Sequence, residues 1–238
     1  MAEEHRAAGS TAEPGTFYVV ATPIGNLEDV TLRALHILES VDTIAAEDTR
    51  RTRHLLTHYG ISRPLMSYHD HNKVRQAPRV LSLLQAGQSV ALVTDAGTPG
   101  IADPAYYLLQ LLLAHDMPVV PIPGPTAAIT ALSVAGLPTD RFVFEGFLPV
   151  KSGRRQQRLD HLGDESRTIV IYESPHRLLK LLQEIVTHLG PDRRVVIGRE
   201  LTKRFEDIRR GTAASLLQEM AHQTIRGECT VLIAGART

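Results

Sequence analysis

Alternation is the feature that most constrains this chain. From Thr16 to Ile122, apolar runs of strand length take turns with segments of helical periodicity. TFYVVAT (16–22), DTIAAE (42–47), PLMSY (64–68), SVALVT (89–94) and MPVVPI (117–122) read as strands. Between them, VTLRALHILESV (30–41), TRRTRHLLTHYG (49–60), KVRQAPRVLSLLQAG (73–87) and DPAYYLLQLLLAHD (103–116) read as helices. Gly60 closes the second helix and Pro78 interrupts the start of the third. Asp103 and Pro104 supply an N-cap and a first helical position for the fourth. A helix between two strands returns the chain to the end it left, so the strands run parallel.

The segment PGP (123–125) breaks the pattern and marks a domain boundary. The expected organisation is a disordered tail over 1–15, an N-terminal α/β domain over 16–123 and a C-terminal α/β domain over 124–238. In the second half, helices are expected at 126–135, 153–162, 175–188 and 213–222. Strands are expected at 142–147, 167–173, 193–199, 204–210 and 228–235. Two strands there follow one another without a helix, so this sheet is expected to be mixed.

Composition narrows the function. The single cysteine, Cys229, excludes an internal bridge and a cysteine-based zinc site, and argues for a reducing, cytoplasmic setting. The first fifteen residues lack the apolar stretch of a secretory signal, and no run of about 18 apolar residues predicts a membrane span. Aromatic residues make up 5% of the chain, with no tryptophan, so a single-strand reader built on aromatic stacking is not expected. Formal net charge is zero, yet residues 151–158 hold four cations and no acid, and residues 191–210 hold seven Lys or Arg against four Asp or Glu.

Ligands of open α/β sheets sit at the carboxyl ends of the strands. Three turns there combine glycine with proline: ATPIGNLEDVT (21–31), DAGTPGIADP (95–104) and PGPTAA (123–128). Glycine lets a ligand approach bare backbone and proline stiffens the remainder, so such turns can follow the outline of a small molecule. No glycine pattern for a dinucleotide or nucleoside triphosphate is present, nor a G-x-S-x-G nucleophile turn. HDH (69–71) is read as a polar loop, and no metal is expected.

TPIGNLEDVTLRAL (22–35), AAEDTRRTRHLLTHYGI (45–61), SYHDHN (67–72), VTDAGTPGIADP (93–104), PIPGPTAAITALSVAGLP (121–138), FVFEGFLP (142–149), YESPHRL (172–178), GRELTKRFE (198–206) and RGECTVLIAG (226–235) together resemble the ribosomal RNA small subunit methyltransferase I family. That family belongs to the tetrapyrrole-methylase-type, class III group of S-adenosylmethionine-dependent methyltransferases. The likeness covers about residues 16–235. It implies two α/β domains with the cofactor in the cleft between them, a homodimer, and methylation of the 2′-oxygen of a cytidine ribose in 16S rRNA of the small ribosomal subunit, near the decoding centre. The family usually has Ser where this chain has Thr94, Ala102, Thr126 and Ala135, and Gly where it has Ala105. Many relatives also run on beyond the position of Thr238, so any grip on RNA from such an extension is expected to come from elsewhere here.

By the family pattern, Asp95, Ala96, Gly97, Thr98 and Ile101 contact S-adenosyl-L-methionine, Thr126 and Ala127 follow, and Pro23 lines the mouth. Tyr172 and Gly227 are candidates from the second domain. A ribose hydroxyl is a weak acid, so a base or charge stabiliser helps; Glu47, Asp48, Glu200 and Lys203 are the candidates. Phosphate contacts should dominate RNA affinity. Arg50, Arg51, Arg53, Lys151, Arg154, Arg155, Arg158, Arg199 and Arg204 are the candidate contacts. Two other readings stand beside this one: methylation of a tetrapyrrole ring, and a ribosome-assembly factor that binds S-adenosylmethionine without turnover.

Overall fold

The computed structural model describes residues 11–236. It divides into two units, Met1–Thr126 and Ala127–Thr238, three residues beyond the expected boundary.

The first unit is built from β1 (Phe17–Val20), a 3₁₀ turn (Leu27–Asp29), α1 (Leu32–Ser40), β2 (Thr43–Ala46), α2 (Thr49–His58), β3 (Leu65–Ser67), α3 (Lys73–Gln85), β4 (Val90–Val93), α4 (Ala105–Leu113) and β5 (Val119–Ile122). The strands form one sheet in the order β3-β2-β4-β1-β5. Every pairing is parallel, as the alternation requires. Side chains alternate across the sheet. Phe17, Val90 and Leu92 join α3 and α4 residues such as Val80, Leu84, Leu108 and Leu112 on one face. Tyr18, Val20, Ala91 and Val93 join Ile37 and Leu38 of α1 and Leu56 of α2 on the other. Both faces are covered, which is why β4 is apolar throughout and wholly buried.

Local details depart from expectation in three places. Residues 11–15 are held rather than loose: Ala12 N–H donates to Ser40 Oγ, Glu13 N–H to the Tyr18 hydroxyl, and Gly15 N–H to the Gly87 carbonyl. The rest of the expected tail, 1–10, lies outside the described residues. α3 runs through Pro78. The stripe of Ala77, Val80, Leu81 and Leu84 is buried, and that packing outweighs the one backbone bond proline removes. α4 begins at Ala105, so Pro104 takes the cap position. Asp103 still acts as the acceptor, taking Ala105 N–H at 2.9 Å and Gly100 N–H at 2.8 Å.

The second unit comprises α5 (Ala127–Ala135), β6 (Phe142–Phe147), α6 (Ser152–His161), β7 (Thr168–Glu173), α7 (Pro175–His188), β8 (Arg194–Arg199), β9 (Asp207–Thr212), α8 (Ala213–Met220) and β10 (Cys229–Ile233). The sheet order is β6-β7-β10-β8-β9. β6 and β7 pair in parallel and the other pairings are antiparallel, so the sheet is mixed. α6, α7 and α8 supply Leu159, Leu178, Leu182, Ile185 and Leu216 to one core with Ile169, Ile171, Ile197 and Val231. α5 lies against β10 and β7.

Candidate functional site

In the first unit, β4, β1 and β5 are neighbours, so the three glycine–proline turns leave the sheet side by side. They are bonded to one another. Thr22 and Gly97 exchange backbone hydrogen bonds of 2.9 and 3.0 Å, extending the sheet past the strands. The Thr22 hydroxyl donates to the Thr94 carbonyl at 3.1 Å, and the Thr98 hydroxyl to the Pro125 carbonyl at 3.2 Å. A Cβ on Gly124 would lie 2.8 Å from that of Ala21, so the third turn packs directly on the first. Gly97 has φ +85°, a conformation that disfavours any side chain. Ala102, without that freedom, holds φ +66°.

Pro23 and Gly97 are buried here, Asp95, Thr98 and Thr126 half-buried, and Ala96 and Ile101 exposed. Within 21–31, 95–104 and 123–126 there is no Lys or Arg. The turns therefore offer carbonyl dipoles, hydroxyls and carboxylates without a fixed positive charge. This set suits a cationic ligand.

β2 lies beside β4, and this brings Glu47 and Asp48 to Asp95. The Thr94 hydroxyl donates to Glu47 Oε2 at 2.7 Å, and Asp48 N–H donates to Asp95 Oδ1 at 3.0 Å. Arg51 stands 3.5 Å from Asp95. Burial, then the charge of Glu47, pushes the Asp95 carboxyl above its ordinary value; Arg51 opposes them and loses. Asp48 caps α2 by accepting Arg50 N–H, and also holds the Arg50 side chain, which lowers its carboxyl to about 2. Arg53 is exposed.

The sequence reading missed Tyr68 and Asp103. Both line a small recess with Glu47 and Thr94. The Tyr68 side chain is buried, and burial pushes its hydroxyl up to about 12. The segment SYHDHN carried Tyr68, but a tyrosine ending a buried strand looks like core.

In the second unit, Glu200 follows β8 with φ +51°. Its Oε1 accepts from Lys203 Nζ at 2.9 Å and from Glu228 N–H at 3.0 Å. Burial alone would raise the Glu200 carboxyl, but these donors outweigh it and hold it below its ordinary value. Burial opposes the charge on Lys203, but the two glutamates prevail and raise it. Gly227 makes room for Glu200: a Cβ there would sit 2.3 Å from the glutamate side chain. Ala127 is the first residue of α5, and the next N–H, of Ala128, donates to the Tyr172 hydroxyl at 3.2 Å. Tyr172 is flanked by Phe144 and Phe147.

The expected basic run at 151–158 is split. Lys151, at the N-cap of α6, and Arg154, on the helix, are exposed. Arg155 is not a surface residue: it is 3% exposed and makes a two-pronged ion pair with Glu184 of α7 at 2.5 and 2.7 Å. It is removed from the RNA contacts because helical spacing turns it inward beside Leu159. Arg158 pairs in the same way with Glu145 of β6. Arg199 bonds the Arg226 carbonyl and stands 3.6 Å from Asp207, while Arg204 is exposed against Phe205. Among the described residues no cluster of His, Cys, Asp or Glu could hold a metal ion.

Comparison with known proteins places this geometry in context. Residues 16–217 match the family model of tetrapyrrole (corrin/porphyrin) methylases. The chain is 52% identical over 222 residues to ribosomal RNA small subunit methyltransferase I of Synechocystis sp., covering 93% of this chain and 80% of that one. It is 49% identical over 235 residues to the protein of that name in Escherichia coli O157:H7, covering 98% and 82%. Among solved structures it is similar to a cobalamin biosynthetic cobalt precorrin-4 methyltransferase, with TM-score 0.71, 19% identity, and coverage of 94% and 96%. It is also similar to uroporphyrin-III C-methyltransferase from Thermus thermophilus complexed with S-adenosyl homocysteine, with TM-score 0.64, 18% identity, and coverage of 93% and 98%.

Proposed function

This chain belongs to the tetrapyrrole (corrin/porphyrin) methylase family, and from that premise we propose that it is an S-adenosylmethionine-dependent methyltransferase of 16S ribosomal RNA, acting on the 2′-oxygen of a cytidine ribose. Relatives of about half-identical sequence carry the name ribosomal RNA small subunit methyltransferase I, whereas tetrapyrrole-ring methylases are similar in fold at below 25% identity. The observation that carries the reading is the set of three interlocked turns without a cation.

When bound, S-adenosylmethionine supplies a methyl group on a positively charged sulfur. The protein's part is to hold acceptor and donor in line, which can supply much of the acceleration. Gly97 and its neighbours present backbone, and Asp95 presents a carboxylate whose burial is offset by a cationic ligand. Pro23, Ala96, Thr98, Ile101, Thr126 and Ala127 complete this proposed contact set, with Tyr172 fixing the start of α5 and Gly227 admitting the Glu200 side chain. Asp48 is a poor base because Arg50 holds it ionised, and Lys203 because two glutamates hold its proton. Glu47 stays as the candidate for receiving the hydroxyl proton; Glu200 falls with Asp48, because Lys203 and the Glu228 N–H hold its carboxyl below its ordinary value. Lys151, Arg154, Arg53 and Arg204 are the exposed cations proposed for phosphate, with Arg50, Arg51, Arg158 and Arg199 available by exchanging carboxylate partners. No helix of the described residues is long and apolar enough to cross a membrane. The small subunit as substrate, a homodimer and a cytoplasmic location complete the proposal.

The test is transfer of a tritiated methyl group to small ribosomal subunits that lack the modification. Label on a cytidine ribose is the expected result. Label in a porphyrinogen instead of rRNA would establish the ring-methylating alternative, and binding of the donor with no transfer would establish the assembly factor.

A further inference from the structure

The loop after β8 borders a groove whose Phe205, Gln223, Thr224 and Arg226 the methyl-transfer reading leaves unused. Arg199, Phe205, Arg209, Gln223, Thr224 and Arg226 line it, around a volume of about 270 Å³. The groove lies just under the roughly 300 Å³ at which small-molecule pockets start. Its character is specific. Phe205 is 66% exposed at the rim, with the Arg204 guanidinium 5.5 Å from the ring centre. Arg199 and Arg209 share Asp207, at 3.6 and 2.8 Å, and Glu219 takes a further bond from Arg209. Arg226 is exposed and has no ion pair among the described residues. Glu200 also lines the groove, but Lys203 holds its carboxylate.

The loop that presents Phe205 is fixed. Glu200 and Thr202 both hold left-handed backbone, and Thr202 is β-branched, so the conformation is an outlier. Side chains enforce it: Glu206 accepts Thr202 N–H at 2.6 Å, and Glu200 is bonded at both Lys203 and Glu228. A large apolar ring is thus held out in water by a strained, cross-braced turn, next to arginines and the Thr224 hydroxyl; the Gln223 amide is already engaged, its Oε1 accepting from Arg209 and its Nε2 donating to the Glu219 carbonyl, both at 2.9 Å.

We propose that this groove is a nucleotide subsite: one unpaired nucleotide of the RNA substrate stacks its base on Phe205, turns its edge to the Thr224 hydroxyl, and sets its phosphate against Arg226. The subsite rests on the RNA reading given above. Scarcity of aromatic residues argued against a single-strand reader built on aromatic stacking; this subsite departs from that expectation at one nucleotide, which needs a single ring. Stacking on one aromatic side chain tolerates any base, so the groove grips the strand while sequence selection lies elsewhere.

The chain has no tryptophan, so Phe205→Trp creates a single fluorescent reporter that keeps the stacking face. In the full-length protein, hexacytidylate RNA is expected to quench that tryptophan saturably. Phe205→Ala is expected to weaken hexacytidylate binding by roughly 5- to 150-fold while S-adenosylhomocysteine uptake stays as in the parent. Arg226→Ala should lower the slope of log affinity against log salt by about 0.7. An unquenched tryptophan with unchanged RNA affinity in Phe205→Ala, in a protein that still methylates small subunits, overturns the subsite and leaves the enzyme assignment intact. A parent protein that neither binds hexacytidylate nor methylates subunits overturns both. A tryptophan signal that follows protein concentration and ignores RNA makes a second copy the occupant and also overturns the subsite.

Discussion

The ends of β4 and β8 solve one problem in two ways. Each strand delivers a rigid loop carrying a carboxylate, Asp95 or Glu200, into a half-buried position. After β4 the rigidity comes from backbone: reciprocal bonds between Thr22 and Gly97, glycines at positive φ, and prolines. No cation belongs to the turns themselves. After β8 it comes from side chains: Lys203, Glu206 and Glu228 brace a turn whose left-handed residues are not glycine. The first unit can therefore leave its turns bare for a ligand. The second must spend charges on internal partners before any are available to RNA, and the buried Arg155–Glu184 pair is the extreme case.

Removing a charge should thus hurt the second unit most. Glu184→Ala leaves Arg155 buried without a partner and is expected to destabilise the protein by about 3–5 kcal/mol, read as a lower urea midpoint. Replacing the pair by Arg155→Met with Glu184→Leu should recover most of that loss, and RNA affinity should not fall with it. A single-variant loss under about 1 kcal/mol would break the contrast.

Adding an atom should separate the two loops next. Gly227→Ala forces Glu200 from its bonds, since the new Cβ would meet that side chain at 2.3 Å, and strains φ +85°. A loss of about 3 kcal/mol is expected. Gly97→Ala meets only ordinary contacts, with Ile24 at 3.6 Å and the Pro125 carbonyl at 3.7 Å, so its cost is the left-handed backbone alone, about 1–2 kcal/mol. Equal losses in thermal or urea melts would argue against different sources of rigidity.

The smallest effect is the most diagnostic in sign. The Asp95 carboxyl lies above its ordinary value of 3.8 in the folded protein. Native Asp95 thus holds its proton more tightly than unfolded Asp95, and this contribution to stability is lost as pH rises through the folded value. Asp95→Asn removes that loss while keeping an acceptor for Asp48 N–H. The variant should gain stability relative to the parent as pH rises above the ordinary carboxylate value, yet bind the cationic cofactor less well. A variant that loses stability as pH rises would assign Asp95 a structural role instead.

Much of this was legible in the chain. The β/α alternation dictated an all-parallel first sheet because each helix returns the chain to the same end. The strands expected at 193–199 and 204–210, with no helix between them, dictated a mixed second sheet; the structure has them at Arg194–Arg199 and Asp207–Thr212, the second starting three residues later. The glycine–proline turns fell on neighbouring strands, a fact sequence order alone does not contain. What failed to show was any effect that depends on partners distant in sequence. Arg155 looked like part of an acid-free run because Glu184 lies 29 residues away, on another helix. Residues 11–15 looked loose because their acceptors, Ser40 and Gly87, belong to other elements. Tyr68 looked like core because only the fold brings Asp103 and Glu47 to its recess.

The account depends most on the turns of the first unit forming the cofactor's seat. Calorimetry of S-adenosylhomocysteine with the parent protein and with Gly97→Val tests this directly. Saturable uptake by the parent, weakened at least about tenfold by a branched side chain in the left-handed position, is the predicted result. No uptake by the parent, or equal affinity in a folded variant, would contradict it.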